Sequence, residues 1–172
     1  RAFIENLRAG EIVQGGSTIT QQIVKSILLS SEKSLARKVR EAILAYRIEN
    51  YLTKEQILNL YLNHIYLGNG AYGVEAAALE YFGKHVEDLS LAEAALLAGL
   101  PKAPSRYAPT HNPVRAKERQ AYVLQRMVEE GFIKPEQAKA ALNEPLKLKS
   151  ARTERFFETG YYADYVRQIL ED

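Results

Sequence analysis

The chain has 172 residues, 47% of them hydrophobic and 26% charged, which suits one domain with a real core and excludes a disordered chain. Its 23 basic and 21 acidic groups nearly cancel to a formal charge of +2, so the broad cationic footprint of a nucleic-acid binder is excluded and any anion site must be local. Cysteine is absent, which excludes disulfides, thiolate metal sites and cysteine nucleophiles and fits an extracytoplasmic setting.

Proline and glycine divide the sequence into segments of helical period, and no run alternates with the period of two of a half-buried strand, so the class is all-α. Helices are predicted near 17–29, 34–52, 53–62, 74–81, 90–99, 113–130 and 135–143, with a last one near 161–171. Ser17, Ser34, Thr53, Ser90 and Asn112 each precede a helical run, where a short oxygen-bearing side chain accepts from an orphan backbone N–H. Ser90 and Glu93 form a capping box, while Pro113 opens and Gly131 closes the helix that follows Asn112. Residues 68–73 and 100–112 read as ordered loops, and 144–158, charged and sparsely apolar, as a mobile connector. No stretch reaches the roughly 18 apolar residues that span a bilayer, and Arg1 opens no signal-peptide pattern, so a membrane anchor is expected outside this segment.

The first helix has unusual proportions. Thr18, Gln21, Gln22 and Lys25 share a stripe about 100° wide, and Ile19, Ile23, Val24, Ile27 and Leu28 fill the rest, so the helix is expected to bury most of its circumference. The narrow polar face suits either a cleft wall or an internal hydrogen-bonded network. Gly15, Gly16 and Ser17 lead into it, where free N–H groups and the helix dipole favour an anion. In the next helix Leu35, Val39, Ala42, Ile43 and Tyr46 read as the core face, with Arg37, Lys38 and Glu41 opposite. That opposite face continues as Leu44, Ala45, Ile48 and Leu52, so the helix is expected to be covered on both sides, with its charges held against protein or ligand. Shielding matters, since two unit charges 4 Å apart interact by about 1 kcal/mol in water but about 4 kcal/mol at an effective dielectric near 20.

These residues carry a resemblance. Gly16-Ser17-Thr18-Ile19-Thr20-Gln21-Gln22 matches the Gly-x-Ser-Thr-Ile-Thr-Gln-Gln motif, and Arg37-Lys38-Val39-Arg40-Glu41 the Arg-Lys-x-x-Glu motif, of the glycosyltransferase domain of class A penicillin-binding proteins. Residues 54–63 resemble that family's fourth motif, and Arg119 with Val123, Leu124 and Met127 its fifth; 68–73 and 100–104 are similar as well. The resemblance covers most of residues 15–142. It implies a two-lobed, lysozyme-like helical glycosyltransferase fold whose smaller lobe lies against a membrane. The division implied is a glycosyltransferase domain over 1–143, then a connector and helix over 144–172 leading towards a transpeptidase domain.

The activity implied is polymerisation of lipid II into β-1,4 glycan strands, with inversion and release of polyprenyl pyrophosphate. The implied partners are lipid II, the polyprenyl-pyrophosphate-linked glycan and the outer, periplasmic face of the cytoplasmic membrane. By resemblance Lys25, Arg37 and Lys38 face the pyrophosphate, and Ser17, Thr18, Gln21 and Gln22 line the donor site. Glu41 assists the leaving group or its metal. Lys54, Tyr61, Asn63, Arg119 and Arg126 hold the cleft. A divalent cation, Mg²⁺ or Mn²⁺, is expected to be shared with the substrate pyrophosphate rather than held by a protein ligand set, since His64, His85 and His111 match no ligand spacing.

Two departures stand out. The family's first motif, which carries the proposed general base, has no counterpart here, and neither Glu5 nor Glu11 fits it. The segment as given is therefore expected to keep its donor-site groups and to turn over poorly, as general-base catalysis contributes about 10² to 10⁴ in rate. Lys33 stands where the family commonly has arginine, so a point charge replaces a planar fork. Competing readings are a lytic muramidase of similar fold, against which the cationic cluster argues, and a non-catalytic module that binds lipid-linked glycan. A helix-turn-helix DNA binder is disfavoured by the near-neutral charge.

Overall fold

The computed structural model describes residues 17–27 and 35–149. Eight α-helices lie among the described residues: α1 (Ile19–Ile27), α2 (Leu35–Tyr51), α3 (Lys54–His64), α4 (Val74–Phe82), α5 (Leu91–Gly99), α6 (Pro104–Tyr107), α7 (Pro113–Glu129) and α8 (Pro135–Asn143). The only β pairing in that range is an isolated bridge between Tyr66 and Tyr72, so the all-α reading holds. The helix predicted near 161–171 lies outside the described residues, as do Ser34 and Gly15–Gly16.

Local chemistry sets the helix ends. At α3 the Thr53 hydroxyl accepts from the Gln56 N–H while the Gln56 side chain accepts from the Thr53 N–H, and Ser90 and Glu93 make the same reciprocal pair at α5. The first helix starts at Ile19, two residues later than predicted. Thr18, not Ser17, caps it, through the Gln21 N–H to the Thr18 hydroxyl at 3.2 Å and the Thr18 N–H to the Gln21 amide oxygen at 3.3 Å. Asn112 makes no side-chain cap, although Pro113 does open α7 and Gly131, at φ 76°, follows its end. The 100–112 loop is more regular than its composition suggested: it contains a 3₁₀ turn (Leu100–Lys102) and then α6.

The helices fall into two packing groups. In one, α5 runs through the core, packing on α4 and on α7, which buries Ala116, Gln120 and Leu124 at a spacing of one turn. Leu67, Tyr81, Phe82, Leu96, Leu97 and Leu100 complete its larger cluster, and α8 closes the smaller one with Ala138 and Ala141. Gly99 permits the close approach of α5 and α7, for a Cβ there would stand 2.8 Å from the Arg119 Cγ. The expected connector begins docked rather than loose. Leu146 and Leu148 pack on the core and the Lys149 N–H donates to the Tyr81 carbonyl at 2.8 Å, because even sparse apolar residues find a groove beside α7. Its remainder beyond residue 149 lies outside the described residues.

In the other group α1 packs on both α2 and α3. Two expectations are corrected here. α1 does not bury most of its circumference: Thr20, Ile23 and Val24 are buried, but Ile19 is 42% exposed, since neighbours cover only one side of the helix. On α2 the side that carries Glu41 is covered as expected, but the face read as core is not. Val39, Ile43 and Tyr46 are 59%, 49% and 68% exposed and Ala42 is exposed too, whereas Glu41 and Ala45 are buried and Arg37, Leu44, Ile48 and Leu52 half-buried. The side chains of Ile27, Leu28 and Leu35 lie outside the described residues. The reason is polar: Lys38 and Glu49 both bond to residues at the start of α1, which turns the charged face of α2 inward.

Candidate active site

The seam between α1 and α2 gathers four of the expected site residues, Ser17, Arg37, Lys38 and Glu41. Lys38 and Glu41 stand three apart on α2, one turn of the same face, and their side chains form an ion pair. The Lys38 Nζ also donates to the Ser17 hydroxyl at 2.9 Å, so one ammonium links the N-terminal end of α1 to a carboxylate that is only 1% exposed. Arg37 is half-buried beside it on α2. Below them the Thr20 hydroxyl donates to Glu49 at 2.6 Å, fixing the two helices in register. A carboxylate taken from water requires such a charged partner, and the half-exposed ammonium beside it stays accessible to an anion.

The remaining expected residues divide. Thr18 and Gln21 are occupied with each other as the helix cap, so they shape the end of α1. Gln22 faces α3, where its amide oxygen accepts from the Tyr61 hydroxyl at 3.3 Å; burial raises the Tyr61 pKa, which keeps that hydroxyl a donor. Lys25 projects exposed from the last turn of α1, without a hydrogen bond or ion pair to the Lys38–Glu41 cluster among the described residues. Lys33 lies outside the described residues. Of the residues expected to hold the cleft, Arg119 does so directly: its Nε donates to the Gly99 carbonyl at 3.2 Å and its guanidinium lies 4.5 Å from the Tyr122 ring centroid. Asn63 bonds back to Asn59, Arg126 pairs with Glu129 and Glu130 on the surface, and Lys54 is the exposed first residue of α3.

Beside Gln22 and Tyr61 opens an apolar cleft of about 490 Å³, walled by Leu62 and Leu97, with Lys102 and Arg119 among its lining residues. Sequence pattern does not single out Lys102 or the pairing of Ser17 with Lys38, whereas the Thr-x-x-Gln spacing of Thr18 and Gln21 is a signal for the α1 cap. Among the described residues no group of three or more His, Cys, Asp or Glu side chains could hold a metal ion.

Comparison with known proteins identifies the family. The transglycosylase family matches residues 1–128. Penicillin-binding protein 1A of Aquifex aeolicus is 57% identical over 170 residues, covering 99% of this chain and 23% of the relative. Penicillin-binding protein 1A of Pseudomonas aeruginosa is 54% identical over 146 residues, covering 85% and 18%. The crystal structure of penicillin-binding protein 1A from Haemophilus influenzae superposes with a TM-score of 0.57 at 36% identity, over 87% of this chain and 19% of that one. The chain thus spans less than a quarter of the length of these relatives. With motifs, all-helical fold and relatives in agreement, this chain belongs to the transglycosylase family.

Proposed function

We propose that this glycosyltransferase domain polymerises lipid II, adding disaccharide units to a glycan carried on polyprenyl pyrophosphate, with inversion at the anomeric carbon. One observation carries the reading: the buried Glu41 carboxylate paired with Lys38, at a seam that also holds Ser17 and Arg37. When the acceptor 4-hydroxyl attacks, the bond from the anomeric carbon to the pyrophosphate oxygen breaks and negative charge gathers on the departing diphosphate. Lys25, Arg37 and Lys38 offset that charge, and partial shielding of Arg37 and Lys38 strengthens their contacts over the value in water. Glu41 fixes the Lys38 ammonium and assists the leaving group. Ser17 orients the same ammonium, and Gln22 lines the site from the α3 side.

The donor set fits a hard cation only in part. One buried carboxylate beside a diphosphate is a usual arrangement for Mg²⁺ or Mn²⁺, so Glu41 would supply a protein oxygen and the substrate the rest. Such an ion would supply charge neutralisation on the leaving group.

The domain acts, in this reading, at the outer face of the cytoplasmic membrane, anchored by a segment outside this chain and joined beyond residue 143 to a transpeptidase domain. The length and name of the relatives support this, and no helix among the described residues is long and apolar enough to cross a membrane. In this family the acceptor's proton goes to a glutamate of the first motif, so the test uses the full-length parent. Incubated with labelled lipid II, it is expected to yield long glycan strands, and Glu41→Gln to lower the initial rate by about 10² or more. Muropeptides released from intact wall would point to a lytic enzyme instead, and tight binding without turnover to a non-catalytic module.

A further inference from the structure

The hairpin between α3 and α4 carries a feature that the donor seam does not use. The Leu67 N–H donates to the Ala71 carbonyl at 2.9 Å, Ala71 to Gly68 at 2.8 Å and Gly73 to Ile65 at 2.9 Å. Gly68, Asn69, Gly70 and Gly73 all take positive φ, and a Cβ at Gly73 would stand 2.6 Å from the Asn63 carbonyl. Asn69 at the tip exchanges hydrogen bonds with the Thr110 hydroxyl at 3.0 and 3.2 Å. This backbone has almost no freedom left.

Alternation along the hairpin sends Leu67 and Ala71 into the core and the bridged pair Tyr66 and Tyr72 to the other side. Their ring centroids lie 4.9 Å apart at 43°, and Tyr72 remains 66% exposed. The other ring pair among the described residues, Tyr81 with Phe82, is buried. The other exposed aromatics among the described residues, Tyr46, Tyr51, Tyr122 and Phe132, stand without a ring partner there. An exposed ring braced by a second ring on a fixed backbone costs little entropy to bind a ligand. Its face suits the flat array of axial C–H bonds on a β-linked pyranose, and its hydroxyl suits sugar hydroxyl and acetamido groups.

We propose that Tyr66 and Tyr72 form an accessory platform for the β-1,4-linked amino-sugar chain, with Tyr72 stacking on one sugar ring outside the donor seam. Leu67 of the hairpin lines the cleft that Gln22 and Tyr61 also line, whereas Tyr66 and Tyr72 are not among its lining residues and make no bond to the Ser17–Lys38–Glu41 groups. The identity of the glycan rests on the function proposed above, whereas the stacking site does not.

The test is calorimetric titration of the full-length parent with a soluble tetrasaccharide of alternating N-acetylglucosamine and N-acetylmuramic acid, free of diphosphate and lipid. Tyr72→Ala is expected to weaken binding at least about threefold and Tyr72→Phe to keep most of it, the range a single aromatic contact spans. An intermolecular nuclear Overhauser effect from the Tyr72 ring to sugar C–H protons in the unmutated protein reads the same contact without a substitution. Equal affinity for wild type and Tyr72→Ala, or absence of that effect, overturns the platform. A parent that polymerises lipid II yet ignores the tetrasaccharide overturns the platform alone; one that does neither overturns the reading beneath it as well.

Discussion

The α4–α8 region and the α1–α2 pair are built on opposite rules. In the first, apolar side chains at helical spacing are buried and the fold follows from them: Leu96, Leu97, Leu100 and Leu124 are all within 3% of full burial. In the second, a carboxylate is buried while Val39, Ile43 and Tyr46 face outward on the same helix. Orientation there is decided by Lys38, Glu41, Glu49, Ser17 and Thr20, polar groups whose bonds outweigh the apolar stripe. A region that gives up apolar burial to hold charge is one whose sequence answers to chemistry as well as to stability.

The comparison is sharpest where truncation is largest. Leu124→Ala removes a fully buried side chain at the α5–α7 contact and is expected to cost about 2–5 kcal/mol in denaturant unfolding, while Ile43→Ala on α2 should change stability by no more than about 0.5 kcal/mol. Equal costs would mean that α2 is turned the other way. Thr18→Ala removes the α1 cap and is expected to lower stability by about 1 kcal/mol, with Gln21→Ala a smaller loss at the same helix end. No change in a melting scan would return Thr18 and Gln21 to the substrate-facing role.

The smallest effect is a pH dependence at the rim of the larger region. His85 bonds through Nδ1 to Glu75 at 2.6 Å, and the Val86 N–H donates to the other Glu75 oxygen at 2.9 Å. The hydrogen bond that its ring donates to Glu75, then the charge of Glu75, raises the His85 pKa, and the hydrogen bonds accepted from His85 and Val86 lower that of Glu75. The histidine's contribution is full below 6.5 and lost as pH rises through its higher folded value. That of the glutamate is full above 4.5 and lost as pH falls through its lower folded value. Maximal benefit therefore lies between 4.5 and 6.5, and His85→Ala should flatten the stability profile at the alkaline side of that window. An unchanged profile by thermal melting from pH 5 to 8 would show the pair contributes nothing.

The sequence was legible where one rule governs. The Ser90–Glu93 box, Pro113, Gly131 and the 135–143 helix appear where spacing and caps put them. The α2 wheel was misread because two faces of that helix are apolar enough to be core, and period alone cannot say which one meets α1. Only the three-dimensional bonds of Lys38 and Glu49 decide it. The same limit hid Lys102, which shares the cleft lining with Gln22 although the two are distant in sequence. Tyr81 shows what burial adds: desolvation, then the charges of Glu80 and Tyr66, push its pKa up to about 12, and its hydroxyl donates to the Leu67 carbonyl at 2.9 Å.

At the centre stands the assignment of the α1–α2 seam to a diphosphate. Its most direct measurement is the affinity of the full-length parent for a phosphoglycolipid inhibitor of the moenomycin type, taken for wild type, Lys25→Ala, Arg37→Ala and Lys38→Ala. Each loss of a cation is expected to weaken binding about tenfold or more, with the effect shrinking as salt rises. Wild-type affinity in all three variants would contradict the assignment.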